Sequence, residues 1–149
     1  MSYNDLCKGR FSEANRIYFI TTVTHNRRKI FNNFNSARIV VKSMQELNDC
    51  GYVDSLSWVV MPDHLHWLIQ LSDEHTLTEV VKRLKAQSAH SINQYLNSSG
   101  SVWQRSYFDR CLRKEEDVKG VSRYIVANPL RAGLVKEIGD YPHWDTAWL

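Results

Sequence analysis

The chain has 149 residues, of which 43% are hydrophobic and 23% charged, and its formal net charge is +3. This length suits one compact domain, and the composition is ordinary for a globular protein without low-complexity tracts. No apolar stretch approaches the roughly 20 residues that span a membrane, so we expect no membrane partner. The mildly basic charge permits a nucleic-acid partner but does not require one.

The N-terminal segment and the cysteines indicate the cellular compartment. Residues 1–15 are polar and show no hydrophobic periodicity. This predicts an N-terminal arm before a single domain over residues 16–149. The first residues lack the apolar core of a signal peptide. Three widely spaced cysteines, Cys7, Cys50 and Cys111, predict reduced thiols in a cytoplasmic protein.

The first predicted elements are a strand and a helix. Residues 16–24 are rich in β-branched and aromatic side chains, which is typical of a strand, and a polar basic turn follows over residues 25–29. Residues 36–48 repeat apolar side chains with the 3.6-residue period of an amphipathic helix. Gly51 predicts the end of that helix.

Two strands come next along the chain. Residues 52–61 predict a strand with Leu56, Trp58 and Val60 on one face. A tight turn at residues 62–63 leads directly into another apolar strand. So short a connection predicts an antiparallel hairpin.

The second half of the chain predicts a helix, a strand and a helix. Thr76, with a glutamate three residues later, forms a capping box that begins a helix ending at residues 97–100. Residues 107–113 alternate apolar and charged side chains, which predicts a fourth strand. Three acidic residues at 115–117 begin the last helix, where the helix dipole favours them. It is expected to end near Asn128, because a residue before proline avoids the α region.

This order of elements predicts an α+β fold. It is the ferredoxin-like βαββαβ sandwich with an extra C-terminal helix, followed by a short aromatic tail containing Trp144 and Trp148. Two helices cover one sheet face, and the other face is left for the last helix or for a ligand.

Two histidines lie two residues apart in the third strand. Because side chains alternate along a strand, His64 and His66 share one face and Leu65 faces the other. On the last helix, Tyr124 and Asn128 are one turn apart and project together. If that helix covers the open sheet face, the site contains two imidazoles, an amide and a phenol.

These groups suit phosphodiester cleavage. Imidazole and amide ligands with vacant positions fit Mg²⁺ or Mn²⁺, although imidazoles also accept Zn²⁺, and such a cation would polarise a phosphate oxygen. The Tyr124 hydroxyl would attack phosphorus and form a phosphotyrosine. Each of these residues alone is more often a packing or polar surface residue. Tyr107 is the competing nucleophile, and a zinc-dependent hydrolase is a further alternative.

Longer segments around these residues resemble the single-tyrosine HUH transposases, and within them the REP-associated tyrosine transposases. One segment is His64-Leu65-His66 within Val-Val-Met-Pro-Asp-His-Leu-His-Trp-Leu-Ile. The other runs from Tyr124 to Val135 and reads Tyr-Ile-Val-Ala-Asn-Pro-Leu-Arg-Ala-Gly-Leu-Val. Segments 25–31 and 103–110 are similar as well.

The resemblance implies an RRM-like catalytic domain that nicks single-stranded DNA beside a hairpin. It implies that Tyr124 becomes joined to the 5′-phosphate, that His64 and His66 hold Mg²⁺ or Mn²⁺, and that Asn128 is the third ligand. We expect a monomer or homodimer in the cytoplasm, associated with the nucleoid. The alternative function is a non-catalytic nucleic-acid-binding module on the same fold.

Basic side chains supply candidate DNA contacts, because phosphate neutralisation is the usual source of affinity for DNA. They are Arg27, Arg28 and Lys29 in the first turn, Lys82, Arg83 and Lys85 on the second helix, and Arg105, Arg110, Arg113, Arg123 and Arg131 around the proposed site. Tyr107, Phe108 and Trp103 are candidates for stacking on unpaired bases.

Overall fold

A computed structural model describes residues 16–147 of the chain. The elements are β1 (Ile17–Val23), α1 (Phe34–Asp49), β2 (Val53–Met61), β3 (His64–Leu71), α2 (Leu77–Leu96), β4 (Phe108–Leu112), α3 (Glu115–Arg131) and β5 (Trp144–Thr146). Short 3₁₀ turns occur at His25–Arg27, Ile30–Asn32 and Ile138–Asp140. The arm predicted for residues 1–15, Cys7 and Trp148 lie outside the described residues.

The strands form one antiparallel sheet in the order β4-β1-β3-β2-β5. The first four strands confirm the predicted βαββαβ sandwich, and β2 and β3 form the predicted hairpin across residues 62–63. The added strand, β5, pairs with β2 through Trp144 and Val59. The sequence did not indicate it, because a three-residue edge strand is too short to show a period of two.

Two apolar clusters lie on opposite faces of the sheet. On one face, α1 and α2 pack against Trp67 and Ile69 of β3. On the other face, Leu68 packs against Val121 and Ile125 of α3. The predicted alternation along β3 is therefore confirmed, and the last helix covers part of the face that carries the histidines.

A β-bulge in β2 corrects the prediction that Leu56, Trp58 and Val60 share a face. The ladder between β2 and β3 shifts register between Ser55 and Ser57, so Leu56 is the inserted residue. Leu56 packs on the α3 side, whereas Trp58 packs on the side of α1 and α2. The prediction was wrong because simple alternation assumes an unbroken ladder.

The end of α3 also differs from the prediction. The helix does not stop near Asn128 but continues through Pro129 to Arg131. It ends where Gly133 takes a φ of +73°, and the Leu134 N–H donates to the Pro129 carbonyl at 3.0 Å. The buried proline lies in the last turn, where its preference against a helix is outweighed by packing. Asn128 therefore stays helical.

The other helix ends follow their sequence signals. The Thr76 hydroxyl accepts a hydrogen bond from the Glu79 N–H at 3.2 Å, and Asn97 ends α2 in the left-handed region. Cys50 and Cys111 are free thiols. Among the helices between residues 16 and 147, none has the length and apolar character needed to cross a membrane.

Candidate active site

His64 and His66 lie side by side on the face of β3 that α3 covers. Their ring centroids are 4.8 Å apart and their planes are inclined by 77°. His66 is 8% exposed, and the His64 side chain is 20% exposed. Because β3 is hydrogen-bonded on both sides, by β1 and β2, the backbone under this pair is held in place.

His66 is a neutral, oriented imidazole. Its Nδ1 lies 2.8 Å from the hydroxyl of Thr21, its cross-strand partner on β1. Burial lowers the pKa of His66 to about 3, and the charges of His64 and Arg131 act in the same direction. If Nδ1–H donates to Thr21, the Nε2 lone pair is available to a ligand.

His64 is oriented by a carboxylate for which the sequence predicts only a place in a turn. Its Nδ1 lies 2.7 Å from Asp63 Oδ1, and Asp63 Oδ2 accepts a hydrogen bond from Arg27 Nη1 at 3.3 Å. Burial tends to raise the pKa of Asp63, but the His64 hydrogen bond and the His64 and Arg27 charges produce a net lowering. An ionised Asp63 favours the proton on His64 Nδ1, which leaves the Nε2 lone pair available to a ligand.

The turn before α1 places Arg27 against Asp63 at a conformational cost. Asn26 and Arg27 have φ values of 56° and 52°, and a left-handed residue other than glycine costs about 1–2 kcal/mol. A local and a tertiary hydrogen bond hold the turn: Thr24 Oγ1 donates to the Arg28 carbonyl at 2.7 Å, and the Thr24 N–H donates to the Asp63 carbonyl at 2.9 Å. Such strain, fixed by its surroundings, is typical of functional segments.

Tyr124 lies against the histidine face, as the helix period predicted. Its ring centroid is 5.7 Å from that of His66 and 6.1 Å from that of Phe19. The side chain of Tyr124 remains 45% exposed. Arg131 Cζ lies 4.1 Å from the ring centroid, and Arg131 Nη2 donates to the Tyr124 carbonyl at 2.7 Å. A phenol open to water therefore stands beside one imidazole and one guanidinium.

Asn128 lies one turn beyond Tyr124 on α3 and is half-buried. Its Nδ2 is buried and has no hydrogen-bond partner in the described part of the chain. An unsatisfied buried polar group costs about 1–3 kcal/mol, and rotating the amide exchanges its nitrogen with its oxygen. The Asn128 amide can therefore present either its nitrogen or its oxygen to a ligand. Within residues 16–147, no cluster of three or more His, Cys, Asp or Glu side chains could hold a metal ion.

The competing tyrosine lies elsewhere. Tyr107 packs on the cluster beneath α1 and α2, on the sheet face opposite the histidines. Lys85 Nζ is 5.6 Å from its ring centroid. Trp103, a candidate stacking residue, is buried in the same cluster, and its indole N–H donates to Ser88 Oγ at 2.9 Å. Neither side chain belongs to the histidine site.

The predicted basic residues divide into three groups. Arg27 and Arg131 join the site through Asp63 and Tyr124. The second group contacts other parts of the fold. Lys85 donates to the Gln104 and Ser106 carbonyls at 2.8 and 3.0 Å and holds that loop to α2, Arg28 donates to the Ser101 carbonyl, and Arg83 Cζ lies 4.9 Å from the Tyr52 ring centroid. The basic residues of α2, which are Lys82, Arg83 and Lys85, lie on the opposite side of the sheet from the histidines. The third group is exposed and comprises Lys29, Lys82, Arg105, Arg110, Arg113 and Arg123.

This chain is similar to known proteins in both sequence and structure. The family model described as "Transposase IS200 like" matches residues 13–128. A Haemophilus influenzae protein provisionally named a REP-associated tyrosine transposase is 24% identical over 142 residues, covering 85% of this chain and 77% of the relative. The Escherichia coli REP-associated tyrosine transposase is 27% identical over 88 residues, covering 58% of this chain and 50% of the relative.

Two solved structures share the fold. A REP-associated tyrosine transposase bound to a REP hairpin gives a TM-score of 0.76 at 21% identity, covering 89% of this chain and 77% of the other. A provisionally assigned transposase from Deinococcus radiodurans gives 0.58 at 21% identity, covering 78% and 93%.

Proposed function

The chain belongs to the IS200-like transposase family, and on that premise we propose that it is a metal-dependent endonuclease and strand transferase for single-stranded DNA. The observation that carries the proposal is the Tyr124 ring, 5.7 Å from His66, whose ring is in turn 4.8 Å from His64. The relative solved with a REP hairpin supports hairpin-bearing DNA as the substrate class.

Tyr124 is the proposed nucleophile. Its Oη forms a bond to phosphorus while the bond from phosphorus to the 3′-oxygen breaks, which gives a 5′-phosphotyrosine and a free 3′-hydroxyl. The 45% exposed phenol can give its proton to water, and the departing 3′-oxygen takes up a proton. Attack by a 3′-hydroxyl on the phosphotyrosine reverses these bond changes and rejoins the strand.

Thr21 and Asp63 are proposed to prepare the imidazoles for a cation. By engaging Nδ1 of His66 and His64, they leave each Nε2 to join the Asn128 oxygen as a donor. When bound there, Mg²⁺ or Mn²⁺ would withdraw charge from a non-bridging phosphate oxygen. The neutral state of His66 favours this role, because a protonated imidazole cannot be a ligand.

Arg131 is proposed to stabilise the negative charge of the phosphate at Tyr124. Its guanidinium already lies over the phenol ring and forms a hydrogen bond with the backbone there. A phosphate approaching Tyr124 Oη therefore meets a fixed positive charge, which costs little reorganisation during the reaction.

The proposal is tested with single-stranded oligonucleotides that carry hairpins, incubated with the protein and Mn²⁺. We expect a covalent protein–DNA adduct that resists denaturation and is absent in Tyr124→Phe. Tyr107→Phe is the matched control and should retain the adduct, because Tyr107 faces the other side of the sheet.

Two results would contradict the proposal. An adduct that persists in Tyr124→Phe would assign the nucleophile to another residue. Hairpin binding without cleavage, across many hairpin sequences and with either metal, would favour the non-catalytic binding module. The monomer or homodimer state and the location at the nucleoid stay predictions.

A further inference from the structure

Phe108 is exposed to an unusual degree for a phenylalanine in a strand. Its exposed fraction is 69%, which is higher than that of any other large hydrophobic residue between positions 16 and 147. Strand phenylalanines usually pack against a neighbouring element. Phe108 begins β4, which is the strand at one end of the sheet.

The strand register places Phe108 on the catalytic face. Phe108 is the cross-strand partner of Thr21, and Thr21 is the partner of His66 on its other side. Directly opposed residues project from the same face of a sheet. With strands about 4.8 Å apart, Phe108 lies about 10 Å from His66, measured across the sheet.

Arg110 occupies the next position along the same face. Its cross-strand partner is Phe19, whose ring centroid lies 5.3 Å from His66 and 6.1 Å from Tyr124. Arg110 is exposed, and none of the described residues forms a hydrogen bond or ion pair with it. The adjacent acid, Asp109, projects from the opposite face, because side chains alternate along β4.

The helix α3 leaves this part of the face open. It packs over β2 and β3, where Val59, Met61 and Leu68 are buried beneath it. Over β1 and β4, Phe19 is only partly buried, and Phe108 and Arg110 are exposed. We call Phe19, Phe108 and Arg110 the β1–β4 strip. It is an open, aromatic and cationic surface that begins beside the proposed nucleophile.

We propose that the β1–β4 strip binds the unpaired DNA next to the scissile phosphate, with one base stacked on Phe108 and a backbone phosphate on Arg110. An aromatic ring presents a face to any base, and the unpaired guanidinium matches a phosphate. The strip's net positive charge, without an acidic side chain on it, favours DNA over an acid-binding or purely apolar partner. The proposal rests on the proposed function for the position of the scissile phosphate.

The test measures binding without cleavage. The probe is a 16-nucleotide oligothymidine that contains one 2-aminopurine, used in the presence of a chelator. We expect Phe108→Ala to weaken binding by about 10- to 100-fold and to remove the 2-aminopurine quenching seen with the unaltered protein. Phe108→Trp should retain both signals. Arg110→Ala should weaken binding and reduce the slope of affinity against salt by about one unit.

Phe34→Ala is the matched control, because Phe34 is also an exposed phenylalanine, at 55%, and begins α1. It should bind the probe like the unaltered protein. Thermal unfolding of each variant separates a lost contact from a lost fold. The proposal is overturned if folded Phe108→Ala binds and quenches normally, if Phe34→Ala weakens binding equally, or if the unaltered protein does not bind the probe.

Cleavage assays distinguish this proposal from the proposed function. If binding depends on Phe108 but the protein never forms a DNA adduct, the proposed nuclease activity is refuted and DNA binding by the β1–β4 strip is supported. If a Tyr124-dependent adduct forms with an unchanged KM in Phe108→Ala, DNA binding by the β1–β4 strip is refuted and the proposed nuclease activity is supported.

Discussion

The two faces of the sheet carry the same kinds of side chain, a tyrosine and a basic residue, in different surroundings. On the side covered by α1 and α2, Tyr107 packs against the core, and Lys85 of α2 donates hydrogen bonds to loop carbonyls. On the other face, Tyr124 is 45% exposed and Arg131 lies over its ring. Within residues 16–147, one face is sealed by two helices, whereas the other is covered by α3 alone. Residue type therefore does not define the site; the incomplete cover of one face does.

Both faces of the sheet also bury polar groups. On the sealed side, the Trp67 indole N–H donates to Ser55 Oγ at 2.9 Å, and the Trp103 indole donates to Ser88. On the open side, Asn128 keeps an unpartnered buried amide atom among the described residues. The sealed side also keeps buried hydroxyls without a partner among the described residues, Thr22 Oγ1 and Ser36 Oγ, so Asn128 is distinguished by its place one turn from the exposed Tyr124.

The largest expected effect is on the sealed face. Trp67→Ala should lower the free energy of unfolding by about 3–5 kcal/mol, because it opens a cavity in a fully buried site. Tyr124→Phe should change it by less than about 0.5 kcal/mol, since the phenol is exposed. Urea unfolding followed by circular dichroism measures both. Similar losses in the two variants would remove the distinction between the faces.

An intermediate effect is expected at Asp63. Asp63→Asn keeps the turn but removes the charge that orients His64, so Mn²⁺ should bind about 10- to 100-fold more weakly. Electron paramagnetic resonance of free Mn²⁺ during a titration measures the affinity. Asp54→Asn, on an exposed part of β2, is the control and should bind normally. Equal affinities in the two variants would show that Asp63 serves only the turn.

The smallest expected effect is the pH dependence from His66. Its pKa is about 3 in the folded chain, whereas the unfolded chain has the ordinary histidine value of 6.5, so only the unfolded chain takes up a proton between these values. Stability is therefore fully present above pH 6.5 and falls as the pH decreases towards 3. The loss between about pH 7.5 and about pH 5.5 should be about 1 kcal/mol.

The matched variant for this pH dependence is His66→Asn, with unfolding measured in a chelator so that metal does not contribute. It should lose part of the acid sensitivity. His143, whose pKa is lowered by burial and by Arg38, contributes to both proteins alike. An identical pH profile in the two proteins would place the acid sensitivity outside His66.

Periodic features of the sequence predicted most of the fold and the placement of His64, His66 and Tyr124 on one side of the sheet. Alternation along β3 assigned His64 and His66 to one face, and the helix period placed Tyr124 beside Asn128. These predictions succeeded because each depends on a regular backbone within one element. The ferredoxin-like sandwich followed from the order of those elements.

The features that escaped prediction depend on irregular backbone or on distant residues. Leu56 changed face at a bulge, and α3 passed through Pro129 because packing outweighed a local preference. Asp63 reaches back to His64 only because it lies in a turn, where alternation does not apply. The contact of Arg27 with Asp63 joins residues 36 positions apart, and no local pattern indicates it.

The strand β5 gives the two edges of the sheet different risks of self-association. It covers the outer side of β2 and is itself an edge of only three residues, so within the described residues the longer unpaired edge is β4. An exposed edge strand that carries an apolar side chain such as Phe108 is a template for edge-to-edge aggregation. A charge on such a strand opposes that pairing, and Arg110 provides one. Arg110 would then protect the protein from aggregation whenever DNA is absent, so light scattering should accompany every measurement on Arg110→Ala.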